Sequence, residues 1–164
     1  EQNNVASFVY LKPLNRLLDN EDLSKITDFN SLFEIYKKLP EIKKEKIKIL
    51  EPAVGIGNFL PIIFNKYSDI KEIELDIYDV DNDSLKILSE LYLNKNKPEN
   101  IKINVINKDF LLAKINKHYD MVIGNPPYKK INDKKLLQTY REMFHDNIAD
   151  NIAAFFVEKC FYLV

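Results

Sequence analysis

From Ile47 onward, short apolar runs alternate with turn residues and with segments of helical periodicity. A chain patterned in this way is confined to a mostly parallel sheet covered by helices on both faces. The predicted strands are Lys46–Glu51, Glu72–Asp79, Ile101–Asn107 and residues 120–124. A helix is predicted over 58–67, with Pro61 in its opening turn, where a missing N–H breaks no intrahelical bond. A second is predicted over 84–93, capped by Asn82 or Asp83 and burying Leu85, Ile87, Leu88 and Leu91. The stretch between the third and fourth strands is too short for a full crossover helix. Upstream, Asn30 or Ser31 is placed to cap a helix in which Leu32, Phe33, Ile35, Tyr36 and Leu39 recur until Pro40. The lysine-rich stretch 41–48 reads as a solvated connection.

The expected fold class is therefore α/β, a Rossmann-like doubly wound and mostly parallel sheet. Residues 1–45 are expected to form a helical segment packing on the core, and residues 46–164 a partial domain. Residue 1 is glutamate, and residues 151–164 form an apolar helix-like run without a terminator. The sheet is accordingly expected to be truncated after about four strands.

At 164 residues, 46% of them hydrophobic, the chain can bury one sizeable core. Lys+Arg 24 against Asp+Glu 25 lacks the excess of basic residues found in stand-alone nucleic-acid binders, so any basic surface must be local. The single cysteine, Cys160, excludes an internal disulfide and a thiolate zinc cluster, which fits a reducing cytoplasm. No apolar run is long enough to suggest a membrane span.

In an open parallel sheet, ligands bind beyond the carboxyl ends of the strands. After the first predicted strand comes EPAVGIGNF, residues 51–59, where Gly55 and Gly57 allow a tight turn and close backbone approach to a ligand. A plain strand-to-helix connection would look the same. The second strand ends at Asp79, whose carboxylate can accept both hydroxyls of a ribose, whereas Asp81 and Asp83 read as turn and cap residues. The third leads into Lys108-Asp109-Phe110-Leu111, offering an acceptor for an amino group and an aromatic face, or simply a strand end packed on the core. The fourth runs into Asn125-Pro126-Pro127-Tyr128, a polar loop stiffened by adjacent prolines.

Together, EPAVGIGNF, Asp79, Asp109-Phe110 and Asn125-Pro126-Pro127-Tyr128 resemble the motifs of amino-group DNA methyltransferases of the adenine-N6 type, over about residues 46–130 and in the gamma-like order. The resemblance implies a methyltransferase fold and S-adenosylmethionine as cofactor. Glu51, Pro52, Ala53, Gly55 and Gly57 would hold its methionine portion, Asp79 with Val80 its ribose, and Asp109 with Phe110 its adenine. The catalytic residues would be Asn125, Pro126, Pro127 and Tyr128, acting on an adenine flipped out of a specific DNA duplex. The implied setting is a restriction-modification system, with a cognate nuclease as a further partner and the target-recognition domain toward the C-terminus. Family members carry an aromatic residue before Thr-Pro near the N-terminus. This chain has Tyr10-Leu11-Lys12-Pro13, where Lys12 replaces threonine but still offers a charge to a carboxylate.

Lys129, Lys130, Lys134 and Lys135 follow the catalytic loop, either as phosphate contacts or as a solvated loop, the latter preferred. Three other readings stand beside DNA methylation: a protein glutamine-N5 methyltransferase using the same Asn-Pro-Pro-Tyr loop, an RNA adenine methyltransferase, and a non-catalytic S-adenosylmethionine-binding module. Glu-Pro-Ala in the glycine loop, in place of the aspartate usual in glutamine methyltransferases, favours nucleic acid. Intact motifs argue against a decayed module.

Overall fold

Alternation along the strands divides their side chains between two apolar layers. In the computed structural model, which describes residues 8–10, 29–94, 97–144 and 149–164, the central strands are β2 (Lys46–Glu51), β3 (Glu72–Asp79), β4 (Ile101–Asn107) and β5 (Met121–Gly124). Ile47, Ile49, Ile73, Leu75, Ile77, Met121 and Ile123 belong to one cluster. Leu50, Tyr78 and Val122 belong to the other, on the opposite face. Helices α1 (Phe29–Lys38), α2 (Leu60–Lys66) and α3 (Asn82–Leu88) supply the first layer. Helices α4 (Lys134–Phe144) and α5 (Ile152–Phe161) supply the second. Each fully buried aliphatic side chain contributes about 1.5–3 kcal/mol, so the two layers are the main source of cohesion.

All strand pairings in the sheet are parallel, in the order β1-β5-β2-β3-β4, where β1 is Phe8–Tyr10. The chain moves outward from β2 to β3 to β4 and then returns to the other side of β2 as β5. This reversal opens a crevice at the carboxyl ends of β2 and β5, where such sheets bind ligands.

The predicted limits of β2, β3 and β4 are those observed, and β5 begins one residue later than expected. Several other expectations need correction. Phe8–Tyr10 lies in the sheet as a fifth strand, so the segment 1–45 is not wholly helical. The first helix begins at Phe29, which places Asn30 and Ser31 inside it instead of at its cap. The helix after β2 begins at Leu60, with Pro61 in its first turn as expected.

The helix after β3 is capped by Asp81, which accepts the Asp83 amide, and not by Asn82 or Asp83. Beyond Leu88 it widens into a π turn, Ser89–Leu93. Ile87 lies on the outer face of α3 and the shift of phase after Leu88 leaves Leu91 outside as well, exposed at 49% and 44%, while Leu85 and Leu88 are buried. No helix spans 108–120, as expected. The apolar run after Asn151 is helical, with Asn151 as its cap. Helix α4 was not predicted, and it makes Lys134 and Lys135 first-turn helical residues instead of loop residues.

The lysine-rich connection lies at the opposite end of the sheet from the crevice. Lys44 pairs with Asp120 at 2.6 Å, Lys46 with Glu72 at 2.5 Å, Lys71 with Glu45 at 2.6 Å, and Lys66 with Glu41. No helix among the described residues is long and apolar enough to cross a membrane.

A polar knot interrupts the second layer. Asp76, 3% exposed, accepts from Asn104 Nδ2 and Tyr119 Oη, and pairs with Lys117 Nζ, each at 2.7 Å. Burial alone would raise its pKa, but these donors outweigh burial and hold the carboxyl below the ordinary carboxylate range. With the folded pKa depressed, the stabilisation is complete above the unfolded value of about 3.9 and is lost as pH falls through the folded one. The urea midpoint should therefore fall on acidification below about pH 4. Asp76→Asn should cost about 1–3 kcal/mol at neutral pH and flatten that acid limb. An unchanged acid limb in the variant would remove Asp76 from this role.

Candidate functional site

The loop after β2 is built around two glycines with positive φ, Gly55 at 54° and Gly57 at 88°. A side chain at Gly57 would meet Leu60 Cδ1 and Tyr92 Cε2, each at 3.0 Å, so this position needs glycine for its backbone and for its close packing. Around Gly55 there is open space, and only the backbone conformation asks for glycine. The loop is tied to the end of β3 by two hydrogen bonds. The Val54 amide donates to the Tyr78 carbonyl at 2.9 Å, and the Gly55 amide donates to Asp79 Oδ2 at 2.7 Å. Asp79 Oδ1 accepts the Asp81 amide at 2.9 Å.

At the end of β4, Asp109 Oδ1 accepts the Leu111 amide at 2.8 Å and Oδ2 accepts the Tyr140 hydroxyl at 2.9 Å. The Phe110 ring is 2% exposed, edge-on to Tyr78 at 5.5 Å and tilted against Phe156 at 5.2 Å. At the end of β5, Gly124 lies under Pro52. A side chain at Gly124 would meet Pro52 Cδ at 3.0 Å, so this residue lets the fourth strand end approach the glycine loop.

These strand ends surround a cavity of about 510 Å³. Pro52, Ala53 and Gly55 come from the glycine loop, Asp79 and Val80 from the end of β3, Lys108, Asp109 and Phe110 from the end of β4, and Asn125, Pro126 and Pro127 from the loop after β5. Thus the structure brings together most of the residues singled out in the sequence. It also adds walls that sequence reasoning missed, Leu136 and Tyr140 of α4 and Ile152 and Phe156 of α5. The signal for α5 was its apolar run, and for α4 it lay in Leu136, Leu137, Tyr140, Met143 and Phe144, which recur at helical spacing.

Three predicted residues stand apart. Gly57 and Glu51 are buried beneath the loop and do not line the cavity. Tyr128 faces a neighbouring cavity of about 670 Å³, bounded by Asn151, Ala154, Val157, Phe161 and Tyr162. Of the upstream motif, Tyr10 ends β1, while Lys12 and Pro13 lie outside the described residues.

The site's electrostatics are defined by acceptors without donors. Both carboxyl oxygens of Glu51 and the side-chain oxygen of Asn125 are buried with no hydrogen-bond partner among the described residues. Burial, and secondarily the nearby Asp79 carboxylate, pushes the Glu51 carboxyl well above the ordinary range. Buried acceptors in this condition cost about 1–3 kcal/mol each and mark a place completed by a ligand carrying donors or positive charge. An amino-acid ammonium and an exocyclic amine fit that donor set.

Residues 41–164 match the family described as Eco57I restriction-modification methylase. Over 90 residues the chain is 31% identical to the type II methyltransferase M.AccI of Acinetobacter calcoaceticus, a match covering 55% of this chain and 15% of that protein. Among solved structures, a class I S-adenosylmethionine-dependent methyltransferase from Listeria monocytogenes superposes with a TM-score of 0.66 at 18% identity, covering 92% of this chain and 47% of that one. The chain therefore spans less than half the length of these proteins. The sheet is that of the class I S-adenosylmethionine-dependent methyltransferases, and the chain belongs to the Eco57I restriction-modification methylase family.

Proposed function

We propose that the chain is the cofactor-binding and catalytic part of a DNA methyltransferase that modifies the N6 amine of adenine, in the modification arm of a restriction-modification system. The observation that carries this reading is the buried, donorless oxygen of Asn125 at the rim of the strand-end cavity. S-adenosylmethionine, bound in that cavity, supplies a methyl group on a sulfonium. Asp79 meets the ribose beside Val80, Asp109 and Phe110 meet the adenine, and Glu51 answers the positive charge of the methionine portion. The carboxylate of Asp79 keeps spare acceptor capacity, since each oxygen holds one backbone amide and can accept once more.

The N6 lone pair of adenine is delocalised into the ring and attacks poorly. Asn125 Oδ1 and the Pro126 carbonyl accept the two amine hydrogens and favour a pyramidal nitrogen whose lone pair points at the methyl carbon. The N–C bond forms as the methyl C–S bond breaks and its electron pair returns to sulfur, leaving S-adenosylhomocysteine, and the methylated nitrogen gives up one proton to solvent water. Pro127 stiffens the loop. Tyr128, facing the adjoining cavity, stacks on the extruded base and offsets part of the few kcal/mol lost on unstacking. Family membership supports DNA as the substrate class over a protein glutamine. Lys130 is paired with Asp150 at 2.9 Å, which fits a solvated surface better than a phosphate contact.

The cofactor assignment has a stability signature. An acid whose folded pKa is raised binds its proton more tightly when native, so destabilisation sets in as pH rises above the unfolded value of about 4.3. Glu51→Gln should raise the thermal midpoint of the cofactor-free protein at neutral pH, by a margin that widens with pH. The same substitution should weaken S-adenosylmethionine binding about ten-fold by calorimetry. Lower stability at every pH, or unaltered binding, would contradict this role. Asp79→Ala should weaken binding more than Asp83→Ala, because the Asp83 carboxylate is exposed and pairs with Lys86 on its own helix.

For the chemistry, Asn125→Ala in the full-length protein should abolish most N6-methyladenine formation while cofactor affinity stays within about three-fold. Tyr128→Ala should lose less on a mismatched target, where extrusion costs little. Mass analysis of the modified nucleoside decides. Methylcytosine, a methylated protein glutamine, or near-normal turnover in Asn125→Ala would reject the reading.

A further inference from the structure

The loop that follows β4 is held by two side chains from helices lying beyond the catalytic loop in sequence. Tyr140 of α4 is 1% exposed, lines the cavity, and donates its hydroxyl to Asp109 Oδ2 at 2.9 Å. Lys159 of α5 donates to the carbonyls of Phe110 at 2.5 Å, Leu111 at 3.0 Å and Ala113 at 2.6 Å. The two straps differ in kind. Lys159 fixes the backbone of the loop, whereas Tyr140 fixes the orientation of one carboxylate.

We infer that Tyr140 is a positioning residue that sets the cavity's selectivity for an adenine amino group by locking Asp109 as an acceptor. The inference rests on the reading that Asp109 meets the adenine of the cofactor. With the Leu111 amide on Oδ1 and the Tyr140 hydroxyl on Oδ2, the carboxylate plane cannot rotate without breaking one bond. Its remaining lone pairs are fixed in direction and can only accept. Burial, with Asp109 beside it, keeps the Tyr140 hydroxyl protonated, so its hydrogen stays committed to the carboxylate. A ring bearing an amino group finds an acceptor in place, and a ring bearing a carbonyl finds acceptor against acceptor. Without the hydroxyl, Asp109 can turn away, take a water, and tolerate either ring.

The test is calorimetric binding of S-adenosylhomocysteine and S-inosylhomocysteine, in which a ring carbonyl replaces the amine, to the full-length protein. The unaltered protein should prefer the adenosyl compound by at least about a hundred-fold. Tyr140→Phe keeps the ring and its packing 5.5 Å from Phe155. It should shrink that preference about ten-fold, chiefly by weakening the adenosyl compound. Tyr140→Met, also without the hydroxyl, should do the same. Lys159→Gln is the structural control: both affinities should fall together with the preference kept. If Tyr140→Phe lowers both affinities by one factor, or changes neither, the positioning role is overturned. Asp109→Asn separates the two levels. If it leaves the preference intact, the adenine assignment fails and the inference fails with it; if only Asp109→Asn abolishes the preference, the assignment stands and Tyr140 is excluded.

Discussion

The acceptance of the Gly55 amide by Asp79 at 2.7 Å joins the ends of two strands through a loop that has no regular structure of its own. A loop with two positive-φ glycines gains little from local preference, because glycine loses the most conformational freedom on ordering. Its shape must come from outside. Asp79 supplies one tie, the Tyr78 carbonyl a second, and the close packing of Gly57 under Leu60 and Tyr92 a third. Gly124 then allows β5 to close against Pro52 of the same loop. The cavity is therefore a consequence of how β2, β3 and β5 end, and its position follows from the reversal of strand order between β2 and β5.

Such a site is held against the interest of folding. Three buried acceptors lack donors among the described residues, whereas Asp76 draws donors from three side chains. The contrast separates the two kinds of buried polar group. Donors hold the Asp76 carboxyl below the ordinary range, while burial, and secondarily the Asp79 carboxylate, drives Glu51 well above it.

The sequence carried the sheet well because each central strand repeats one physical signal, alternating apolar residues closed by a turn. It carried the strand-end residues for the same reason, since a parallel sheet gathers its carboxyl ends on one edge. What it did not carry depends on partners distant along the chain. Strand β1 is three residues long and exists through pairing with β5. Helix α4 is the exception, since Leu136, Leu137, Tyr140, Met143 and Phe144 recur at helical spacing and were legible in the sequence. The π turn after Leu88 shifts the phase of a helix whose apolar positions had suggested a single face. The link between Asp109 and Tyr140 spans 31 positions and is formed by packing alone.

Helix α5 ties the loop after β5 to the loop after β4. At its start, the Ile152 amide donates to the Lys129 carbonyl at 3.0 Å and the Asp150 carbonyl accepts the Ile131 amide at 2.8 Å, so the segment leaving Tyr128 is stitched to the helix. Toward its other end Lys159 holds the loop after β4, and the Leu163 carbonyl accepts the Tyr119 amide at 2.7 Å just before β5 begins. The helix thus spans from the loop assigned to the target base to the loop assigned to the cofactor's adenine. Phe155 and Phe156, buried between these ends, anchor it to the sheet. A displacement of α5 would have to move both loops, because the hydrogen bonds at each end are made to backbone and leave no slack of side-chain length at the catalytic end. The relative placement of the loops after β4 and β5 is in this way fixed by one rigid element, as the proposed transfer, with its alignment of attacking and leaving atoms, demands.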